Sequence, residues 1–224
     1  MLGARSNELL VEELVSAGYP IGIFDLNPLG KEESNRIVVN LDDERAAHDA
    51  FAYLCNLGHR RIGILNGDIH RSAGTAKMAG FLAAARERGI PIRSEWFLDT
   101  DFSEAGGYAS MRAFLESGIA LPSAFAAAND TVAFGAMRAL QECKVRIPDD
   151  ISVIGIDDHP MAKYQRPALT TFKYDFLGVM RRLVELLVSR IESRDTAGPK
   201  RALFSPVFVE RESCRAIKEP EGSG

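Results

Sequence analysis

At 224 residues the chain has room for one domain or two small ones, and 46% hydrophobic residues supply a core. A net charge of −4 leaves no gross electrostatic footprint for nucleic acid on this stretch. No run approaches the roughly 18 apolar residues of a membrane span, and MLGARSNELLVEELVSAG at the start lacks the apolar centre of a secretory signal.

Ser6 reads as the N-cap of a first helix, with Leu10, Leu14 and Ala17 at helical spacing and Gly18 as its end. IGIFDL then reads as a strand ending near Asp25, and Arg36 to Leu41 as a second strand beyond a Pro/Gly loop at 27–35. An α/β pattern that opens on a helix suggests a fragment. Asp42, Asp43 and Glu44 favour a helix N-terminus by the dipole, rather than a metal site. Ala46, Ala47, Ala50, Phe51, Leu54 and Leu57 form that helix's apolar face, and Gly58 ends it.

Arg61 to Leu65 is a third strand, followed by a loop to Ser72 and a helix from about Gly74 to Arg88 with Met78, Phe81, Leu82 and Ala85 inward. Glu95 to Leu98 is a fourth strand. Ser103 caps the next helix, whose inward face is Tyr108, Met111 and Leu115. The stretch from Ala124 to Asp158 is a strand–helix–strand unit: apolar 124–128, a cap at Asn129-Asp130, helical apolar spacing to Leu140, then apolar 151–156. Strand–helix repetition with short connections argues a parallel sheet with right-handed crossovers.

Beyond it, Leu169 to Phe172 is extended. Asp175 caps a long helix to about Glu192 with Leu177, Met180, Leu183, Val184, Leu187 and Ile191 as its apolar set. Ala202 to Val209 is extended but broken by Pro206, which fits an edge strand or a crossover. The Pro/Gly/Ser-containing end reads as a disordered tail over 215–224.

In a parallel sheet the C-terminal strand ends share one edge, where open α/β sheets bind ligands. Here they carry Asn66 with Arg71, Asp101 with Phe102, Asn129 with Asp130, and Asp157 with Asp158. There is no GxSxG elbow, P-loop or GxGxxG, and His59 and His70 stand apart from any activated nucleophile, so no catalytic centre, metal or cofactor is expected. Cys55, Cys143 and Cys214 form no CxxC pair, which fits a reduced, cytoplasmic compartment. Amide, carboxylate and guanidinium make directed hydrogen bonds while an aromatic ring covers a ring face. That mixture suits a neutral, hydroxyl-rich small molecule such as a sugar or nucleoside.

The motifs LGHRRIGIL (57–65), AGF (79–81), AFAAANDTVAFGAMRAL (124–140), RIPDDISVIGIDD (146–158), RPALTTF (166–172) and FVERESC (208–214), in this order, resemble the effector-binding domain of the LacI/GalR family of bacterial transcriptional regulators. The resemblance implies a fold like the periplasmic sugar-binding proteins: two doubly wound α/β subdomains with a ligand cleft between them. The first would comprise 1–40 and 173–205 and the second 41–172 and 206–214. It assigns effector contacts to Arg71, Phe102, Asn129 and Asp157, and adds Lys77 and, on a crossover, Tyr174 as further ligand-binding positions. Where the family commonly has arginine, this chain has Lys77, which keeps the charge and loses the bidentate fork. The DNA-binding headpiece and the start of the first subdomain are not in the sequence, so the first sheet is expected to be incomplete, with an exposed edge.

The resulting expectation is a cytoplasmic, dimeric sensor of a sugar, nucleoside or purine. It would meet operator DNA only through a headpiece absent from this chain, and it would not touch membrane. A periplasmic-type sugar transport protein is the alternative. A hydrolase using Asp157 and Asp158 ranks below both, because adjacent strand-end residues point different ways.

Overall fold

The structure is a computed structural model describing residues 10–11, 13–24, 36–193 and 200–217. The chain divides into two compact units, one of residues 1–42 with 174–205 and one of 43–173 with 206–224. It therefore passes from one to the other three times.

The first unit is built on a parallel sheet in the order β1 (Ile21–Phe24), β2 (Arg36–Leu41), β8 (Lys200–Phe204). Helical residues between 10 and 16 precede it, and Gly18 ends that segment with a φ of +83°. The expected Ser6 cap and the 27–35 loop lie outside the described residues. Helix α5 (Phe176–Ser193) starts where the Asp175 carboxylate accepts from the Gly178 N–H at 3.0 Å. It buries Val179 and Leu186, with Leu183 and Leu187 beside them, on Ile37 and Val39 of β2.

That face differs from the expected one. Leu177, Met180, Val184 and Ile191 point to solvent. The helix carries two apolar stripes, and period alone does not say which one meets the sheet.

The second unit holds a parallel sheet in the order β4 (Phe97–Asp99), β3 (Ile62–Asn66), β5 (Ala124–Ala127), β6 (Ser152–Ile154). The chain steps outward from β3 to β4, then jumps back across β3 to β5. With right-handed crossovers this reversal places the flanking helices on opposite faces. Helix α1 (Asp43–Asn56) pairs with α2 (Ser72–Glu87), and α3 (Glu104–Glu116) with α4 (Asp130–Glu142).

Both helix pairs approach closely through glycine. A Cβ on Gly80 would strike the Glu44 carbonyl of α1, and one on Gly135 the Glu104 carbonyl of α3. Phe125, Met111, Met137 and Leu140 form the centre of the core, with Phe114 edge-on to Phe125 at 5.7 Å. A short antiparallel pair, β7 (Thr171–Lys173) with β9 (Val207–Val209), lies beyond β6. Pro206 falls between β8 and β9, so the interrupted run became one edge strand in each unit.

Three local expectations change. Residues Ser94–Trp96 form a 3-10 turn rather than strand, because the Trp96 ring is buried with its Nε1–H donating to the Ala120 carbonyl at 2.9 Å. On α2 the inward face is Gly74, Lys77, Phe81 and Ala84, while Leu82 is exposed. The expected tail begins too early: Arg215 pairs with Asp149 at 2.6 Å, and the Ile217 N–H donates to the Leu57 carbonyl. The stretch from 218 lies outside the described residues.

Candidate functional site

The reversal of strand order at β3 and β5 opens a switch point at their C-terminal ends, and the side chains gathered there define the candidate site. Strand β3 ends at Asn66-Gly67. The Phe102 ring lies directly on Gly67, where any Cβ would overlap it. Phe102 itself has a φ of +67°, a left-handed conformation that a bulky residue adopts only when its surroundings hold it. Two side chains supply the hold. The Asn129 Nδ2 donates to the Phe102 carbonyl at 3.1 Å, and the Thr131 hydroxyl at 2.8 Å.

Asn129 at the end of β5 also caps α4, its Oδ1 accepting from the Val132 N–H at 2.8 Å, with the Thr131 hydroxyl oxygen, whose one proton is on the Phe102 carbonyl, 3.0 Å away. One acceptor site and one donor of the amide are thus used locally, leaving one N–H. Asn129 is a clamp on the Phe102 turn first.

Two cations stand over the same ring, the Arg71 guanidinium at 5.9 Å and the Lys77 ammonium at 5.6 Å from its centroid. They differ in surroundings. Arg71 is on the surface, its side chain 67% exposed, with Asp68 at 3.9 Å. Lys77 is buried, its side chain 5% exposed, and meets the equally buried Asp43 at 3.1 Å. A lysine on the inward face of a helix requires such a partner. Asp43, expected only to favour the start of α1, is therefore also the counter-ion of Lys77. The lysine at the i−4 position from Phe81 was the signal that could have found it.

Asp157, beyond β6, has a φ of +114°, and its N–H donates to the Phe172 carbonyl at 2.7 Å. Among the described residues its carboxylate makes no hydrogen bond or ion pair. Burial pushes its pKa up to about 6; Lys77 pulls it down and Asp43 pushes it up. The neighbouring Asp158 is committed elsewhere, to Arg211 at 2.5 Å.

Asp130, fully buried at the first turn of α4, accepts from the Thr171 hydroxyl at 2.6 Å and the His159 N–H at 2.7 Å. Burial raises its pKa to about 8 against those hydrogen bonds, with Asp157 and Asp158 adding to the rise. It ties α4, the β6 end and β7 together below the site. Asn66 is fully buried, its Nδ2 donating to the Gly67 carbonyl at 3.0 Å, and its Oδ1 has no hydrogen-bond partner among the described residues.

Arg71, Lys77, Phe102 and Asn129 are thus brought together, with Asp157 close enough to Lys77 to feel its charge. Tyr174 belongs to the other unit. Its ring is buried, and its hydroxyl donates to the Asp42 carbonyl at 2.9 Å, bracing one crossing point of the chain against another. Among the described residues no group of three or more His, Cys, Asp or Glu side chains is arranged to hold a metal ion.

Residues 51–214 match the family described as periplasmic binding protein-like domain. A transcriptional repressor, PurR of Glaesserella parasuis, is 31% identical over 205 residues, covering 89% of this chain and 59% of that protein. PurR of Yersinia pestis is 37% identical over 161 residues, 72% of this chain and 47% of the relative. Among solved structures, a LacI family regulator from Enterococcus faecium with bound ribose superposes with a TM-score of 0.82 at 30% identity, covering 93% of this chain and 76% of that one. The Escherichia coli repressor ascG does so at 0.79 and 28%, covering 92% and 73%. The chain belongs to the periplasmic binding protein-like domain family. Within it, the chain is an effector-binding domain of the LacI/GalR kind. It spans 59% or less of the length of these repressor relatives.

Proposed function

We propose that this chain is the effector-sensing part of a bacterial transcriptional regulator, and that its effector is a neutral, hydroxyl-rich small molecule bound at the strand-end edge of the second unit. One observation carries the reading. A positive-φ Phe102 is clamped by Asn129 and Thr131 against Gly67, at the switch point of the sheet, with charged groups of both signs around it. The ring would cover the apolar face of a sugar or purine. Asp157 would accept from ligand hydroxyls, Arg71 would donate, and the remaining Asn129 N–H would add one bond.

The charges favour a neutral ligand. Lys77 is already matched by Asp43, and Asp157 adds a negative group, so the buried part of the site has no cationic excess for an anion. Tyr174 would act as a brace where the chain crosses between units. The regulator with bound ribose supports the sugar class.

Effector binding would bias two arrangements of a longer, cytoplasmic, dimeric protein, and so its hold on operator DNA. A carboxylate-pair hydrolase is not favoured, because Asp158 is held by Arg211 while Asp157 is not paired. The test is a thermal-shift screen of ribose, hexoses, nucleosides and purines. A saturable rise with one neutral compound, and none with its phosphorylated form, is expected. A rise only with anionic compounds would contradict the reading.

A further inference from the structure

Asp43 is the first residue of α1, and Lys77 lies on the inward face of α2. Their charged atoms are 3.1 Å apart, and their side chains are 6% and 5% exposed. The two helices are pressed together at this end. One turn further along α2, Gly80 sits so close to the Glu44 carbonyl that a Cβ would overlap it. A helix start is favoured by a carboxylate at the surface and has no need of one buried against the next helix. A carboxylate at that depth costs free energy unless a cation requires it.

The position of the ammonium shows what the requirement is. Lys77 Nζ stands 5.6 Å from the centroid of the Phe102 ring. Its charge also reaches Asp157, and the charge of Asp43 reaches the same carboxyl with the opposite sign. Lysine carries a compact charge that its flexible stem can bring to an anion. While Asp43 holds that charge, an anionic ligand would have to compete with Asp43 and also face Asp157. With an uncharged residue at 43, the ammonium would lose its carboxylate while still beside the ring. It would then shed its proton or take an anion from solution.

We infer that Asp43 is a specificity-determining residue that acts through Lys77: by holding the ammonium it reserves the strand-end site for uncharged ligands, and neutralising it would open the site to phosphate-bearing ones. This rests on the neutral-ligand reading proposed above and names the residue that enforces it.

Inorganic phosphate is the probe, titrated calorimetrically at about pH 7 into the 224-residue chain and its variants, each checked for a cooperative melt. Wild type should bind phosphate no better than Asp43→Asn/Lys77→Gln, in which both charges are gone. Asp43→Asn alone should bind it at least about 10-fold more tightly than either, the scale of one unmatched charge near a protein surface. Asp43→Ser keeps a residue that favours a helix start and gives a second route to the same outcome if the asparagine variant does not fold.

A pair that only staples α1 to α2 would lower the melting temperature in these variants and leave phosphate affinity unmoved. That result would overturn the role of Asp43 while leaving the neutral-ligand reading in place. An equal gain in Asp157→Asn, where the pair is intact, would overturn it as well, because net charge rather than Asp43 would then be the selector. A wild type that binds phosphate at least about 10-fold better than the double variant would overturn both the role and the reading.

Discussion

In the second unit, four helices enclose a four-stranded sheet, and Phe125, Met111 and Leu140 are fully sealed between layers. In the first, α5 lies on a three-stranded sheet with one apolar stripe down and another in water. The same residue types, valine and leucine at helical spacing, therefore carry structure in one place and an open surface in the other. Burial, not composition, separates the two roles.

The largest expected effect that separates the units is Phe125→Ala. The ring is fully buried and edge-on to Phe114, so its loss should destabilise by about 3–5 kcal/mol, read as a lowered urea midpoint. An unchanged midpoint would remove the distinction between sealed core and open stripe.

Next is pH. Asp157 and Asp130 have carboxyl pKa values of about 6 and about 8, raised from an unfolded value near 3.9. The folded state therefore holds more protons across that window, and stability falls as pH rises from roughly 4 to 8. The fall should be no steeper than about 1.4 kcal/mol per pH unit for each of the two groups, the worth of one tenfold difference in proton affinity between folded and unfolded chain. Asp130→Asn should flatten the upper half of the window, as followed by chemical unfolding at pH values of about 5, 6, 7 and 8.

Gly135→Ala comes third. The added Cβ meets the Glu104 carbonyl of α3 and forces the helices apart, for about 1–3 kcal/mol, seen as a lowered melting temperature. Leu177→Ala is the smallest: on the open stripe it should change monomer stability by no more than about 0.5 kcal/mol. A larger loss would mean the stripe is part of a folded core.

Much of the second unit was legible in the sequence because several signals agreed. The Ser103 and Asn129 caps are observed where the side chains implied them, as is the Asp175 cap in the first unit. The strand ends that α/β topology brings to one edge do carry the clustered groups. What was not legible depends on partners far away in sequence. Nothing near Asp43 announces Lys77, thirty-four positions on, and helical period put Leu177, Met180, Val184 and Ile191 in one apolar set with Leu183 and Leu187 without saying which of them meet the sheet. The Phe102 turn was invisible for the same reason: its left-handed backbone is stabilised by Asn129 and Thr131, side chains from another strand end.

The function proposed for this chain turns on whether the edge built from Phe102, Asn129 and Asp157 binds a neutral hydroxyl-bearing molecule. Isothermal calorimetry decides it, with the compound that gives the largest thermal shift titrated into wild type, Asp157→Asn and Phe102→Ala. The expected outcome is one site per chain and a loss of about 10- to 100-fold in each variant, the scale of a hydrogen bond to a charged group for Asp157→Asn and of lost apolar burial for Phe102→Ala. Affinity undiminished in both Asp157→Asn and Phe102→Ala would contradict it.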